Sequence, residues 1–420
     1  MTETVTAPVE EPPVDRELAA RILPFDTFDP EFHRDPYATY RRIRTDNGQI
    51  FRTPGGMLIA LSHEHASTVL TDPRLGYGED TVVADQFVPN PDGPPGRPLI
   101  FMDPPDHTRI RSLVSKAFTP RAVAGLKDRT AEFAAGLMDE AIASYSGGTL
   151  DLMSTLARPL PGLVLDALID VPKRYHEEFL ELANISGRGL DPGFILSAAE
   201  KRDRDRARDG FVRAGMEMAH ERRAAPGEDL ISQLATVHAE NGDRLTEMEL
   251  GMTLMNLLAA GFNATAAFIG NAALTLLRHP AQLAWLRANP DKIVSATEEL
   301  LRYDSPLQMV PRTALSEVEI GGYVMRPGEH VAAILGAANR DPEFYENPDT
   351  LDLTRPANRN LGFGHGIHFC VAAPIARMTA HAALLEIVKH DFTLAVDEPS
   401  RFPGVVLRTL GELPVEVRGA

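Results

Sequence analysis

Leu361–Arg377 reads LGFGHGIHFCVAAPIAR and holds Cys370, the one cysteine of the 420-residue chain. Gly362, Gly364 and Gly366 alternate with Phe363, His365 and Ile367. Such glycines admit left-handed backbone and let a flat ligand approach the main chain. The apolar run that follows places Cys370 at the start of a helix, where backbone N–H groups and the helix dipole favour a thiolate. A lone thiolate in a loop, with no second cysteine beside it, fits a single axial ligand, and haem iron takes one. Two other readings of the same residues stand beside this one: a buried structural cysteine, and a hydrolase nucleophile served by His365 or His368.

Outward from this loop the pattern is largely helical. PYATYRRIRTDN from Pro36, the run from Pro105 to about Tyr145 with a break at Pro120, and the segments between 160 and 303 all carry helical spacing. Strand signals are short: Met57–Leu61, the pair around Gly321-Gly322, and the last residues. The expected fold is therefore mostly α with a small β-rich lobe. Leu75–Pro98 is turn-rich, and a long connection of that kind is usually functional. Leu250–Leu277 is long enough to span a bilayer but contains Asn256, Asn263 and Asn271. It reads as a helix through a folded core, so no membrane anchor is expected. MTETVTAPVEEPPVDRE has neither a basic nor an apolar region of a secretory signal. Residues 1–22 are expected to be a disordered tail and 23–420 one domain. A net charge of −17 argues against nucleic-acid binding. One cysteine excludes an intramolecular disulfide and a Cys-rich metal site, and fits a cytoplasmic setting.

Phe363-Gly364-x-Gly366-x-His368-x-Cys370 resembles the haem-binding loop of the cytochrome P450 family. Glu299-Leu300-Leu301-Arg302 is similar to the family's Glu-x-x-Arg helix. Pro104–Arg111 (PPDHTRIR) is similar to the helix crossing one haem face, and Ala260-Gly261 to the mid-point of its central helix. The likeness spans roughly residues 25–415 and points to the soluble bacterial branch. It implies the family's prism fold, heme b as cofactor, and Cys370 as iron ligand with Phe363 and Gly364 beside it. His107, Arg111, Arg312 and His368 match contacts to the haem propionates. Glu299 and Arg302 would form a buried structural set with Arg355. Ala260, Gly261, Ala264, Thr265, the 75–98 connection, the 180–200 region and Leu307 to Val310 would line the substrate pocket. The implied activity inserts one atom of dioxygen into a hydrophobic small molecule. Since no flavin or nicotinamide fingerprint is evident, a ferredoxin and its reductase would supply electrons.

Two departures stand out. Ala372 occupies a position where the family usually has glycine. More seriously, Asn263 and Ala264 replace the acid and threonine that pass protons to bound oxygen, with Thr265 one residue along. An amide has no titratable proton near neutrality and a methyl group donates no hydrogen bond. Thr265 is turned by about 100° on a 3.6-residue helix and would reach the same place only through a bulge at Gly261. The pattern leaves open peroxide-driven or substrate-assisted chemistry, oxidative coupling, or a haem protein that binds a ligand without turnover.

Overall fold

Thr246 starts the longest helix, Glu247–Arg278: its hydroxyl accepts from the Glu249 N–H and the Glu249 carboxylate accepts from the Thr246 N–H. The chain is described here by a computed structural model covering residues 14–418 other than 80, 82, 89–94, 119, 238–243 and 357–358, with side chains of 117 and 120–123 also outside it. Among the described residues this is the helix long and apolar enough to cross a membrane. It is instead enclosed: Asn271 is fully buried and donates to the Arg408 carbonyl at 2.9 Å. A helix apolar on all sides must be covered on all sides. Ala198–Ala224, Pro159–Ile169 and Ala373–Ile387 pack against it.

Side-chain caps set the other helix starts, as Asp35 does for Pro36–Asn47, Ser197 for Ala198–Ala224 and Asp229 for Leu230–Thr236. The predicted break at Pro120 separates the helices Asp106–Ala117 and Pro120–Ser144. Among the described residues are ten short strands: β1 Ile50–Arg52, β2 Leu58–Ala60, β3 Leu75–Gly76, β4 Leu150–Asp151, β5 Met309–Ala314, β6 Val318–Ile320, β7 Tyr323–Met325, β8 His330–Ile334, β9 Phe392–Leu394 and β10 Pro414–Val417. The largest sheet has the order β1-β2-β8-β5-β3, with β2 and β8 parallel and the other pairs antiparallel. Its register sets Arg312 of β5 opposite Val331 of β8.

The expected tail ends too late in the chain. Arg16–Ile22 is a helix whose start is capped by Asp15, and Ala19 and Leu23 are buried beside Phe25 and Phe32. Its apolar face has a partner, which the acidic, Pro-rich neighbourhood of the sequence hid. Residues 1–13 lie outside the described ones.

Glu299 and Arg302, on Ile293–Tyr303, are 1% and 0% exposed. Both Glu299 oxygens accept from Arg302, at 2.7 and 2.8 Å, and one also accepts from Arg355 at 3.1 Å. Arg302 further donates to the carbonyls of Asn339, Pro348 and Thr350. Removing one member strands a charge in the core, which costs about 3–5 kcal/mol. Glu299→Ala and Arg302→Ala are expected to lower folded yield and melting temperature sharply. Glu181→Ala, whose partner Arg206 is 60% exposed, is the control and should leave the melting curve unmoved.

Candidate active site

Three backbone bonds shape the cysteine loop: Gly364 N–H to Leu361 O at 2.9 Å, Phe369 N–H to Gly366 O at 3.1 Å and Cys370 N–H to Phe363 O at 3.0 Å. Gly364 and Gly366 take φ of 72° and 69°, the left-handed region. A Cβ on Gly366 would lie 2.5 Å from the Leu70 carbonyl oxygen, so His63–Thr71 backs the loop at contact distance. The Arg377 guanidinium lies 4.3 Å from the centre of the Phe363 ring and pairs with Glu298. The Leu361 N–H donates to Asn339 Oδ1 at 2.7 Å.

The following helix begins at Ala373, three residues later than its expected start at Cys370. The N–H groups of Ala372 and Ala373 and the charges of Arg111 and Arg377 favour a thiolate, but burial outweighs them and pushes the Cys370 thiol up. A bound cation would favour the anion there.

Cys370 lines a cavity with about 1440 Å³ of empty space, counting its open mouth, and Ala260, Gly261, Ala264 and Thr265 of the central helix line the same cavity. Phe363, Ala372, His107, Arg111 and His368 also border it. His107 is 2% exposed, and neither of its ring nitrogens has a partner; the same holds for His368 Nε2. Their rings lie 4.4 Å apart. Arg312, buried on β5, reaches His368 from an adjoining cavity and donates to the Tyr77 hydroxyl. His368 is pushed down to about 2, first by burial and then by the charges of Arg312, His107 and Arg111. The nearby Asp103 carboxylate is engaged by the N–H groups of Tyr77 and Gly78. Basic groups crowded without a free counter-anion among the described residues, beside apolar walls and one thiol, fit a flat iron-bearing ligand with carboxylates along one edge.

Beyond the central helix a second cavity, of about 910 Å³, is bordered by Ala260, Asn263, Ala264, Ser186, Leu190 and Gln86. Asn263 Nδ2 donates to Ser186 Oγ at 2.8 Å and to the Ala259 carbonyl at 3.1 Å. Thr265 borders the cysteine-side cavity alone. The helix stays α-helical through Gly261, so the bulge that would turn Thr265 toward Asn263 is absent. Leu307 borders both spaces and a third of about 900 Å³; Val310 borders only the third, on the Arg312 side. Tyr77 and Gln86 lie in the 75–98 connection and Ser186 in the 180–200 region, the two segments expected to wall the pocket, although no local pattern singled out these side chains.

Residues 194–410 match the family described as Cytochrome P450. Cytochrome P450 107B1 of Saccharopolyspora erythraea is 35% identical over 404 residues, which cover 92% of this chain and 96% of the relative. The chain belongs to the cytochrome P450 family. It is a P450 monooxygenase, an oxidoreductase, and its cofactor is haem. Another relative, the polyketide biosynthesis cytochrome P450 PksS of Bacillus subtilis, is 38% identical over 325 residues, 76% of this chain and 77% of its own. The crystal structure of P450BioI in complex with hexadec-9Z-enoic acid ligated acyl carrier protein superposes with a TM-score of 0.81. It is 33% identical and covers 92% of this chain and all of that one.

Gly366→Ala meets both a left-handed φ and the Leu70 carbonyl, whereas Gly364→Ala meets the left-handed φ with its nearest atom 3.7 Å away. Left-handed backbone costs a non-glycine residue about 1–2 kcal/mol. Haem content, read as Soret over protein absorbance, should fall modestly in Gly364→Ala and severely in Gly366→Ala.

Proposed function

We propose that this P450 inserts one atom of dioxygen into a hydrophobic small molecule, in the cytoplasm, with electrons from a ferredoxin and its reductase. The observation that carries the reading is the Cys370 thiol sharing with small central-helix residues a cavity rimmed by unpartnered histidines. Cys370 would hold haem iron. His107, Arg111, Arg312 and His368 would hold its carboxylates, and Phe363 and Gly364 would pack beside it. Haem bound there supplies dioxygen activation, which a thiolate ligand favours. Ala260, Gly261 and Ala264 leave room for an apolar substrate, and Leu307 closes the space from the sheet side. Ile367 and Phe369 of the cysteine loop are exposed, which supports electron entry near the sulfur.

Asn263 supports a second reading of how protons arrive. Its amide N–H groups are taken by Ser186 and Ala259, and the neighbouring Ala264 carries no donor. Asn263 thus ties the central helix to the 186–190 segment and moves no proton. Protons then come from a hydroxyl or amine of the substrate, or peroxide replaces dioxygen.

The reduced carbon monoxide complex of the purified enzyme should show the strongly red-shifted Soret band of thiolate ligation, and Cys370→Ser should lose it. A histidine-type spectrum in undamaged samples would sink the assignment. Asn263→Asp with Ala264→Thr should raise product formed per nicotinamide consumed on plain hydrocarbon ligands, and do little for peroxide-driven turnover. High parental coupling on such ligands, unchanged by the double substitution, would point to another proton route.

A further inference from the structure

We propose that Asn339 is a positioning residue for the cysteine ligand: its side-chain oxygen, by holding the Leu361 N–H, keeps the loop in the form that presents the Cys370 sulfur to the cavity. This deepens the function proposed above and rests on its reading of Cys370 as the iron ligand.

Asn339 follows the short helix Leu335–Ala338 and is fully buried. Its main chain is already engaged: the N–H donates to the Leu335 carbonyl at 2.9 Å, and the carbonyl accepts from Arg302 at 3.0 Å. Its Oδ1 accepts from the N–H of Leu361, a residue 2% exposed, at 2.7 Å. A main-chain N–H can only donate, so this contact fixes which end of the amide meets the loop. The other end, Nδ2, is sealed from solvent and has no partner among the described residues. An amide that leaves a buried donor unmet is a poor filler of core space, since an apolar side chain would avoid that cost. The acceptor end is therefore what the side chain contributes.

Other side chains also reach the main chain of the loop. Asn360 Oδ1 accepts from the Gly362 N–H at 3.0 Å, and Arg111 donates to the Phe369 carbonyl at 2.6 Å. Both side chains are partly exposed, so water can take their place. At the enclosed Leu361 N–H no such exchange is open, and removing Oδ1 leaves a buried donor unmet. The loop then shifts to satisfy it, and the shift runs along the main chain. The Leu361 carbonyl accepts from Gly364, and the Phe363 carbonyl accepts from Cys370 itself. Gly362 and Gly366 have no room to absorb the movement: a Cβ on either would lie 2.5 Å from Leu301 or from the Leu70 carbonyl. Asn339 does not border the cavity of Cys370, so it acts on the sulfur through the loop alone.

The test uses the haem-loaded enzyme and compares Asn339→Leu, which lacks the acceptor, with Asn339→Asp, which keeps an oxygen in the same place. Asn339→Ala is the second variant should the leucine protein fold poorly. Amide hydrogen exchange is followed by mass spectrometry, and the reduced carbon monoxide spectrum is taken on the same samples. In Asn339→Leu the amides of 361–370 should exchange about 10-fold faster than in the parent, the size set by one unmet buried N–H. The helix Ile293–Tyr303 should keep its parental protection. A matching share of the carbon monoxide complex should move from the red-shifted Soret band to the ordinary one, and Asn339→Asp should restore both readings. Parental exchange and a parental spectrum in the leucine and alanine variants overturn the proposal, as does an aspartate variant that behaves like the leucine one. Loss of protection in Ile293–Tyr303 as well, or failure of both apolar variants to fold, marks a merely structural residue and also overturns it. A parent without the red-shifted band overturns the reading of Cys370 as the ligand, while the exchange comparison still decides whether Asn339 holds the loop.

Discussion

Arg302 has no exposed surface, and Glu299, its partner one helical turn away, has almost none. Charges taken that far from water are tolerated only when every oxygen and N–H is met. Here the requirement organises the segment 339–355 around one helix. Arg302 gathers the carbonyls of Asn339, Pro348 and Thr350; Glu299 gathers the Asp352 N–H and Arg355. Asn339 passes the constraint on, since its side chain accepts from the Leu361 N–H, where the cysteine loop begins. Leu301 of the same helix packs against Gly362 so tightly that a Cβ there would sit 2.5 Å from it. The position of Cys370 is thus inherited from an ion pair whose burial leaves it no alternative arrangement.

The histidine-lined edge of the Cys370 cavity shows the opposite condition. His107 and His368 are buried with ring nitrogens unmet, and Arg312 and Arg111 add positive charge beside them. Uncompensated polar groups of this kind weaken a fold. A ligand that brings carboxylates to them and a cation to Cys370 stabilises the native state by mass action. In this protein the site and the stability of its surroundings are coupled through the same residues. Tyr77, which accepts from Arg312 and lies under its guanidinium, limits how far that charge can wander.

On the substrate side the central helix works by what it lacks. Ala260, Gly261 and Ala264 keep the wall low, and Asn263 uses its amide to fasten the helix to Ser186. A carboxylate at 263 would repel or compete with the Ala259 carbonyl that the amide now satisfies. On the proposed reading the replacement exchanges a proton-handling group for a tether, and proton supply falls to the ligand or the oxidant.

Local spacing carried much of this. Glu299 and Arg302 at i,i+3, His107 and Arg111 at i,i+4, the alternating glycines before Cys370 and the Pro and Gly breaks between helices are all statements about neighbours within a few residues, and sequence expresses those directly. The tail was drawn too long because the apolar partners of the Arg16–Ile22 helix come from distant segments. Asn339 left no sign, and the segments holding Tyr77, Gln86 and Ser186 were legible as pocket walls without their side chains being singled out, for each acquires its meaning from a partner or a cavity wall tens to hundreds of residues away. The sequence by itself determined the family, the helices and the thiol that would meet the iron. Only the tertiary structure decided which donors are spent and which remain free, because hydrogen-bond satisfaction in a buried space is set by every chain segment that closes it.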